Sequence, residues 1–324
     1  MVGRERLLEP TDELVVDDHL GEAHHAGPLQ ELRTTGGIPG QVDLGVLDPA
    51  GVEQLLGAGA ERARVGGVDG DFGSHDFTKD SEGLMGGSLK TEAVVLRSMR
   101  YGEADRILHL YTPERGRISA IAKGVRKTRS RFGGRLEPFF QLRLVLHEGR
   151  SDLLTVTSAE TVEGYARLRE SGAAIEAASR ACDAVNRLFG EAEASAPVFY
   201  LLCNELGLLD GDPAFAGHAN QLQFRMKLLV AAGLAPQLSA CAACGERDHL
   251  VGFSGAAGGV VCASCEGGGF PLAAEAHDFL TETLARSLSD PPAGTERALR
   301  QAERAIGETV EHHAHVRLRA AAHG

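Results

Sequence analysis

Two different hydrophobic rhythms follow one another along this chain. From Thr91 to Ser158 apolar residues come in short β-branched runs: Thr91 to Ser98, Arg106 to Thr112, Arg117 to Lys123, Phe139 to His147 and Leu153 to Ser158. Turn signals such as Tyr101-Gly102-Glu103 and Pro113-Glu114-Arg115-Gly116 separate them, which predicts five strands. Ile118, Ala120 and Ala122, and likewise Gln141, Arg143, Val145 and His147, alternate with their neighbours, so each of these strands has an inward and an outward face. Five strands in so short a span predict a small closed barrel of the Greek-key OB type, whose face commonly binds single-stranded nucleic acid.

After Glu160 the period becomes helical. Val162, Tyr165, Ala166 and Leu168, then Ala174, Ile175, Ala178, Cys182, Val185, Leu188 and Phe189, recur at spacings of three and four. Val198 to Leu209 and Leu222 to Leu234 repeat the pattern, and helices resume over Leu272 to Ser289 and Thr295 to about Ala321, parted by Pro291-Pro292. Gly190, Gly207 and Gly233 fall where helices would end. The expected class is α+β and multi-domain: an N-terminal OB-fold barrel over 85–160, then a helical domain over 161–324 interrupted by a four-cysteine insert at 241–265.

The first 84 residues share neither rhythm. They hold 15 of the 41 glycines and no sustained period, and read either as a disordered acidic tail or, as favoured here, as sequence upstream of a start at Met85.

The insert carries the most specific chemistry. Cys241, Cys244, Cys262 and Cys265 form two C-x-x-C knuckles, each able to aim two sulfurs at one ion, the spacing of a structural zinc site. Gly245 follows the second ligand where the turn needs a permissive backbone. Leu250 to Phe253 and Val260-Val261 read as the two strands of a zinc-ribbon hairpin. Iron, a redox dithiol or a decayed site are the competing readings. Four thiolates close the coordination sphere, which argues against catalysis by the metal. His249 is expected to be solvated, and Cys182 and Cys203 to be buried small hydrophobes.

Charge then changes the picture. The chain has a net charge of −12, unfavourable for phosphate binding on average. The average conceals blocks: 6 basic and 17 acidic residues up to Leu84, 14 and 6 from Met85 to Arg150, and 13 and 22 thereafter. The basic block contains Lys123, Arg126, Lys127, Arg129, Arg131 and Arg135 in one inter-strand stretch, interleaved with Gly, Ser and Thr donors that can track a phosphate backbone. Phe132 is the expected base-stacking residue, with Tyr101, Tyr111, Phe139 and Phe140 nearby. No phosphate loop, H-E-x-x-H or nucleophile elbow is present, so a non-catalytic binding protein is expected. The acidic N-terminus and the absence of an 18-residue apolar run predict a cytoplasmic protein without a membrane partner.

These segments resemble a known family. Lys90 to Ser98 with Tyr101-Gly102-Glu103-Ala104-Asp105, Ala122 to Lys127, and Ser130 to Phe139 are similar to the bacterial RecO recombination mediators, and the order of barrel, helices, ribbon and helices is similar over Ser88 to His323. The resemblance implies an OB domain that binds single- and double-stranded DNA and anneals complementary strands. It also implies action with RecR, and in some cases RecF, to load RecA onto DNA coated by single-strand-binding protein. Docking of that protein's tail or of RecR is expected on the helical domain. A zinc-ribbon transcription regulator and a thiol oxidoreductase are the rival readings, separated from this one by sequence-specific duplex binding and by unmasked thiols respectively.

Overall fold

A computed structural model describes residues 87–149 and 153–321. The leader 1–84, the candidate start Met85 and His323 lie outside the described residues. Five strands, β1 (Ser88–Tyr101), β2 (Asp105–Thr112), β3 (Gly116–Ala122), β4 (Gln141–His147) and β5 (Leu154–Glu163), close in the order β1-β2-β3-β5-β4. All pairings are antiparallel except that of β3 with β5.

Alternation decides the interior. Ala93, Val95, Leu108, Leu110, Ala120, Ala122, Leu142, Leu144, Leu146 and Val156 fill the barrel. Gln141, Arg143, Val145 and His147 face outward between them, as the period of two requires. The register of β1 against β2 shifts between Val95 and Arg97. This bulge lets Leu96 and Arg97 both leave the interior, where strict alternation would have driven a guanidinium into the core.

The outer face of β1 and β2 is covered by helices. Val94, Leu96 and Tyr111 share one apolar core with α1 (Gly172–Leu188) and α2 (Ala196–Gly211). Ser171 and Ser195 cap these helices by accepting the N–H of Ala174 (3.3 Å) and Val198 (3.4 Å). β5 extends to Glu163, and the first α-helix opens only at Gly172, later than the apolar spacing from Val162 predicted. β5 continues past the end of β3 along β4, whose Gln141 is paired with Glu163. Gly207 lies inside α2, not at its end, whereas Gly233 does take a left-handed φ of 71° just beyond α3 (His218–Ala231).

Helix α3 is the centre of the helical part: 12 of its 14 residues are buried. Phe224 and Leu228 join the core shared with the barrel, while Leu222, Met226 and Leu229 join a second core with α4 (Ala274–Ala285) and α5 (Glu296–His313). Its polar side chains must therefore find protein partners. Gln221 donates to the Ala216 carbonyl at 2.7 Å, Gln223 to that of Ser287 at 2.9 Å, and Arg225 to that of Arg319 at 2.6 Å. The last contact, with Glu303 accepting from the Ala321 N–H at 2.5 Å, holds the chain end against the bundle. It also explains why α5 stops at His313 instead of continuing to Ala321: residues after Ala314 serve as a strap packed through Val316, Leu318 and Ala321.

Glu205 of α2 is buried beside Asn220, which donates to both its carboxylate oxygens at 3.1 and 3.2 Å. Burial pushes its pKa from 4.5 up to about 8, against the smaller opposing effect of Asn220. A raised folded-state pKa means that the folded chain holds a proton the unfolded chain loses. The contribution to stability is complete below pH 4.5, declines as pH rises and is gone above about 8. Glu205→Gln keeps the shape without the ionisation. Its melting temperature is expected to match wild type near pH 5 and to exceed it by roughly 5 °C or more at pH 8.5; equal gaps at both pH values would refute this assignment.

Candidate metal centre and nucleic-acid interface

The cysteine insert folds as a hairpin of β6 (Leu250–Ser254) and β7 (Gly259–Cys262), with β8 (Phe270–Pro271) added beside β6. Each knuckle is shaped by backbone bonds. The Gly245 N–H donates to the Cys241 carbonyl at 2.8 Å, with Gly245 at φ 81°, and the Cys265 N–H donates to the Cys262 carbonyl at 2.9 Å. The knuckles are docked together by the Ala242 N–H on the Val260 carbonyl at 2.8 Å and the Ala263 N–H on that of His249 at 3.2 Å.

This brings the four Sγ atoms within 4.8 Å of one another. Metal–sulfur bonds of about 2.3 Å at tetrahedral angles require sulfur separations of about 3.8 Å; Cys244 and Cys262 lie 3.7 Å apart. The donor set thus fits a tetrahedral metal. Cys241 and Cys262 are buried, Cys265 half-buried and Cys244 exposed. Burial opposes ionisation of Cys241, but hydrogen bonds from the Cys262, Cys244 and Ala243 backbone hold its thiol down to about 6. Hydrogen bonding to Cys244 and Cys262 pushes Cys265 up to about 12. Four sulfurs held this close would, once ionised, need a cation among them to balance their charge. His249 is exposed and outside the cluster. Cys182 and Cys203 sit elsewhere in the apolar core, their pKa values raised chiefly by burial.

The basic stretch occupies the connection from β3 to β4 and covers one end of the barrel. Lys123, Arg126, Lys127, Arg129, Arg131 and Arg135 are all exposed. The loop is tied to the β1–β2 turn: the Gly124 N–H donates to Asp105 Oδ1 at 2.8 Å and the Arg126 N–H to the Ala104 carbonyl at 2.9 Å. At its far end Phe139 takes φ 77°, a conformation a bulky residue adopts only when held. Its N–H donates to the Val95 carbonyl at 2.8 Å, and Arg169 stacks 4.3 Å from the Phe140 ring centre while donating to the Pro138 carbonyl at 2.8 Å.

Phe132 corrects the sequence reading. The ring is 1% exposed and lies with Leu136 in the barrel core, so in this conformation it cannot stack on a base; it anchors the loop instead. The i, i+4 spacing of Phe132 and Leu136 within an otherwise polar stretch was the available signal. Arg131 lies over that ring at 4.7 Å and donates to the Val156 carbonyl at 3.3 Å, and Arg135 donates to that of Ala159 at 3.4 Å. These two are partly committed to fastening the loop along β5.

Three other barrel arginines are neutralised: Arg106 by Glu137 at 2.9 Å, Arg115 by Glu148 at 2.6 Å, and Arg143 by Glu92 at 3.2 Å and Glu160 at 3.5 Å. Among the described residues, Lys123, Arg126, Lys127 and Arg129 enter no ion pair. Arg97, which the sequence reading passed over, is turned outward by the β1 bulge to line a cavity of about 450 Å³ with Leu96, Phe139, Cys182 and Arg187.

The architecture defines a class of two-part proteins in which a small barrel with a cationic rim is docked on a helical body carrying a four-thiol knuckle. Residues 85–165 match the family model described as "Recombination protein O N terminal" and residues 169–321 that described as "Recombination protein O C terminal". The chain belongs to the recombination protein O, or RecO, family. It is 38% identical over 225 residues to the DNA repair protein RecO of Rubrobacter xylanophilus, covering 67% of this chain and 89% of that protein. It is likewise 38% identical over 245 residues to that of Anaeromyxobacter dehalogenans strain 2CP-C (72% and 94%). To that of Bifidobacterium animalis subsp. lactis it is 41% identical over 178 residues (53% and 72%). No helix among the described residues is long and apolar enough to cross a membrane.

Proposed function

We propose that this protein is a recombination mediator in DNA repair. It binds single- and double-stranded DNA, anneals complementary strands and, with RecR and in some cases RecF, helps load RecA onto DNA coated by single-strand-binding protein. The observation that carries the reading is the cationic connection between β3 and β4: four exposed cations without ion pairs, on a loop fastened to a rigid barrel. We assign the barrel to the OB type, supported by its strand order and by the parallel closure of β3 on β5. The division into a DNA-binding barrel over 85–160 and a helical domain over 161–324 belongs to the same reading, as does a cytoplasmic location.

Annealing requires no bond to be made or broken in either strand. Two backbones repel each other, and a cationic rim that holds both lowers that barrier and raises the rate of productive encounter. Lys123, Arg126, Lys127 and Arg129 make the phosphate contacts, with Arg131 and Arg135 adding to them from fixed positions along β5. In the helical part, zinc held by Cys241, Cys244, Cys262 and Cys265 is structural. When bound it supplies a tetrahedral crosslink; the chain's own contribution is the pair of preformed knuckles.

The test is annealing of complementary oligonucleotides coated with single-strand-binding protein, followed by fluorescence transfer between end labels. Acceleration that weakens steeply with salt is expected. No acceleration above the coated strands alone, by a protein with its four-thiol site filled, would reject the mediator reading.

A further inference from the structure

We propose that Tyr101 is a base-stacking residue that engages unpaired nucleobases, separately from the cations that follow the phosphates. The inference rests on the nucleic-acid reading above and names the residue by which the rim distinguishes single strands from duplex. With Phe132 in the core, the barrel's other rings are disqualified too: Tyr111 is fully buried, Phe139 nearly so, and Phe140 lies beneath Arg169. Tyr101 differs from all of them. It ends β1 at the β1–β2 turn and is 54% exposed, and its side chain makes no hydrogen bond or ring contact with any described residue. Its register partner is Asp105, the residue whose carboxylate accepts from the Gly124 N–H of the cationic loop. The backbone that carries the ring is therefore tied to the same rim as Lys123, Arg126 and Lys127. Arg100, exposed and in no ion pair, stands next to it.

A large aromatic left in water beside free cations is complementary to a strand whose bases are unpaired, because every base presents a π-face and its phosphates lie a few ångströms away. A duplex hides those faces in its own stack. The two components of the rim therefore respond differently to pairing. The cations hold either form, whereas the Tyr101 contact is lost when a held base finds its complement. Affinity falls at the moment of annealing, and the product leaves.

The experiment compares three labelled probes: a thymidine oligonucleotide of about 20 nucleotides, an abasic backbone of the same length and a blunt duplex. Wild type is expected to bind the thymidine strand roughly five- to a hundredfold more tightly than the abasic one. Tyr101→Ala should abolish that preference and leave abasic and duplex affinities unchanged. Tyr101→Trp should restore it. Because the chain has no other tryptophan, quenching of its fluorescence by the thymidine strand and not by the abasic one reports the stack directly. Retention of the preference by Tyr101→Ala, or an unquenched tryptophan, would overturn the proposal. Failure of wild type to bind any of the three probes would instead overturn the nucleic-acid reading beneath it.

Discussion

Replacing Lys123, Arg126, Lys127 and Arg129 together by alanine is expected to weaken binding to single-stranded DNA roughly a hundredfold near 0.15 M salt while the melting temperature stays within a few degrees of wild type. The magnitude follows from counterion release. Each phosphate contact on a single strand contributes about 0.7 to the slope of log affinity against log salt, so four lost contacts flatten the slope by about 3 and remove about two decades of affinity. The fold tolerates the change because these side chains contact nothing that holds the barrel: the loop is fastened by backbone bonds at Gly124 and Arg126 and by the buried Phe132 and Leu136. Arg131 and Arg135 are left out of this variant because each donates to a β5 carbonyl, so their loss would mix binding with loop position. Titrations at several salt concentrations check the expectation. An unchanged slope would place the phosphate contacts elsewhere, and the cations at the barrel–helix junction, Arg97, Arg187 and Arg319, would be the next surface to test.

The second large effect concerns the metal. Stripping the four-cysteine site with a strong chelator, or replacing the buried Cys262 by serine, is expected to lower the melting temperature by roughly 10 to 20 °C, corresponding to about 5 kcal/mol for a chain of this size. The local apolar support is too small to stand in for the ion: around the knuckles it amounts to Cys241, Val261 and Cys262 with a few half-buried neighbours. The damage spreads because Phe253, Val260 and Phe270 of the same three-stranded sheet belong to the core of α3, α4 and α5. Structural zinc contributes about 10 to 16 kcal/mol in isolated fingers, so losing part of that is enough. Metal binding should also release protons, since the thiol of Cys265, held up to about 12, must ionise to ligate. One metal per chain, displaced by a thiol reagent with loss of the thermal transition, is the expected measurement. A chelated chain that melts like the untreated one would remove the structural role.

The local elements were largely legible because their signals are local. Alternation marked Leu142, Leu144 and Leu146 as one face of β4, and C-x-x-C spacing marked the knuckles, since both depend on residues two or three apart. The fate of Phe132 was legible only in its spacing to Leu136: an aromatic among arginines otherwise reads the same whether it meets a base or plugs a barrel, and the barrel's open end exists only after β3 has paired with β5. The all-round burial of α3 escaped for a related reason. His218, Asn220, Gln223 and Arg225 look like a solvated face until Glu303 of α5, Glu205 of α2, the Ser287 carbonyl and the terminal strap are packed against them.

Composition and spacing were sufficient for the two rhythms, the basic block and the four sulfurs, because each is set by neighbours along the chain. Tertiary structure alone decided which cations remain unneutralised, where the β1 bulge sends Arg97, and which single aromatic of the barrel meets solvent. Those outcomes depend on closure, which brings residues distant in sequence, such as Ala104 and Arg126 or Val95 and Phe139, into hydrogen-bond contact and turns one face of every strand into an interior.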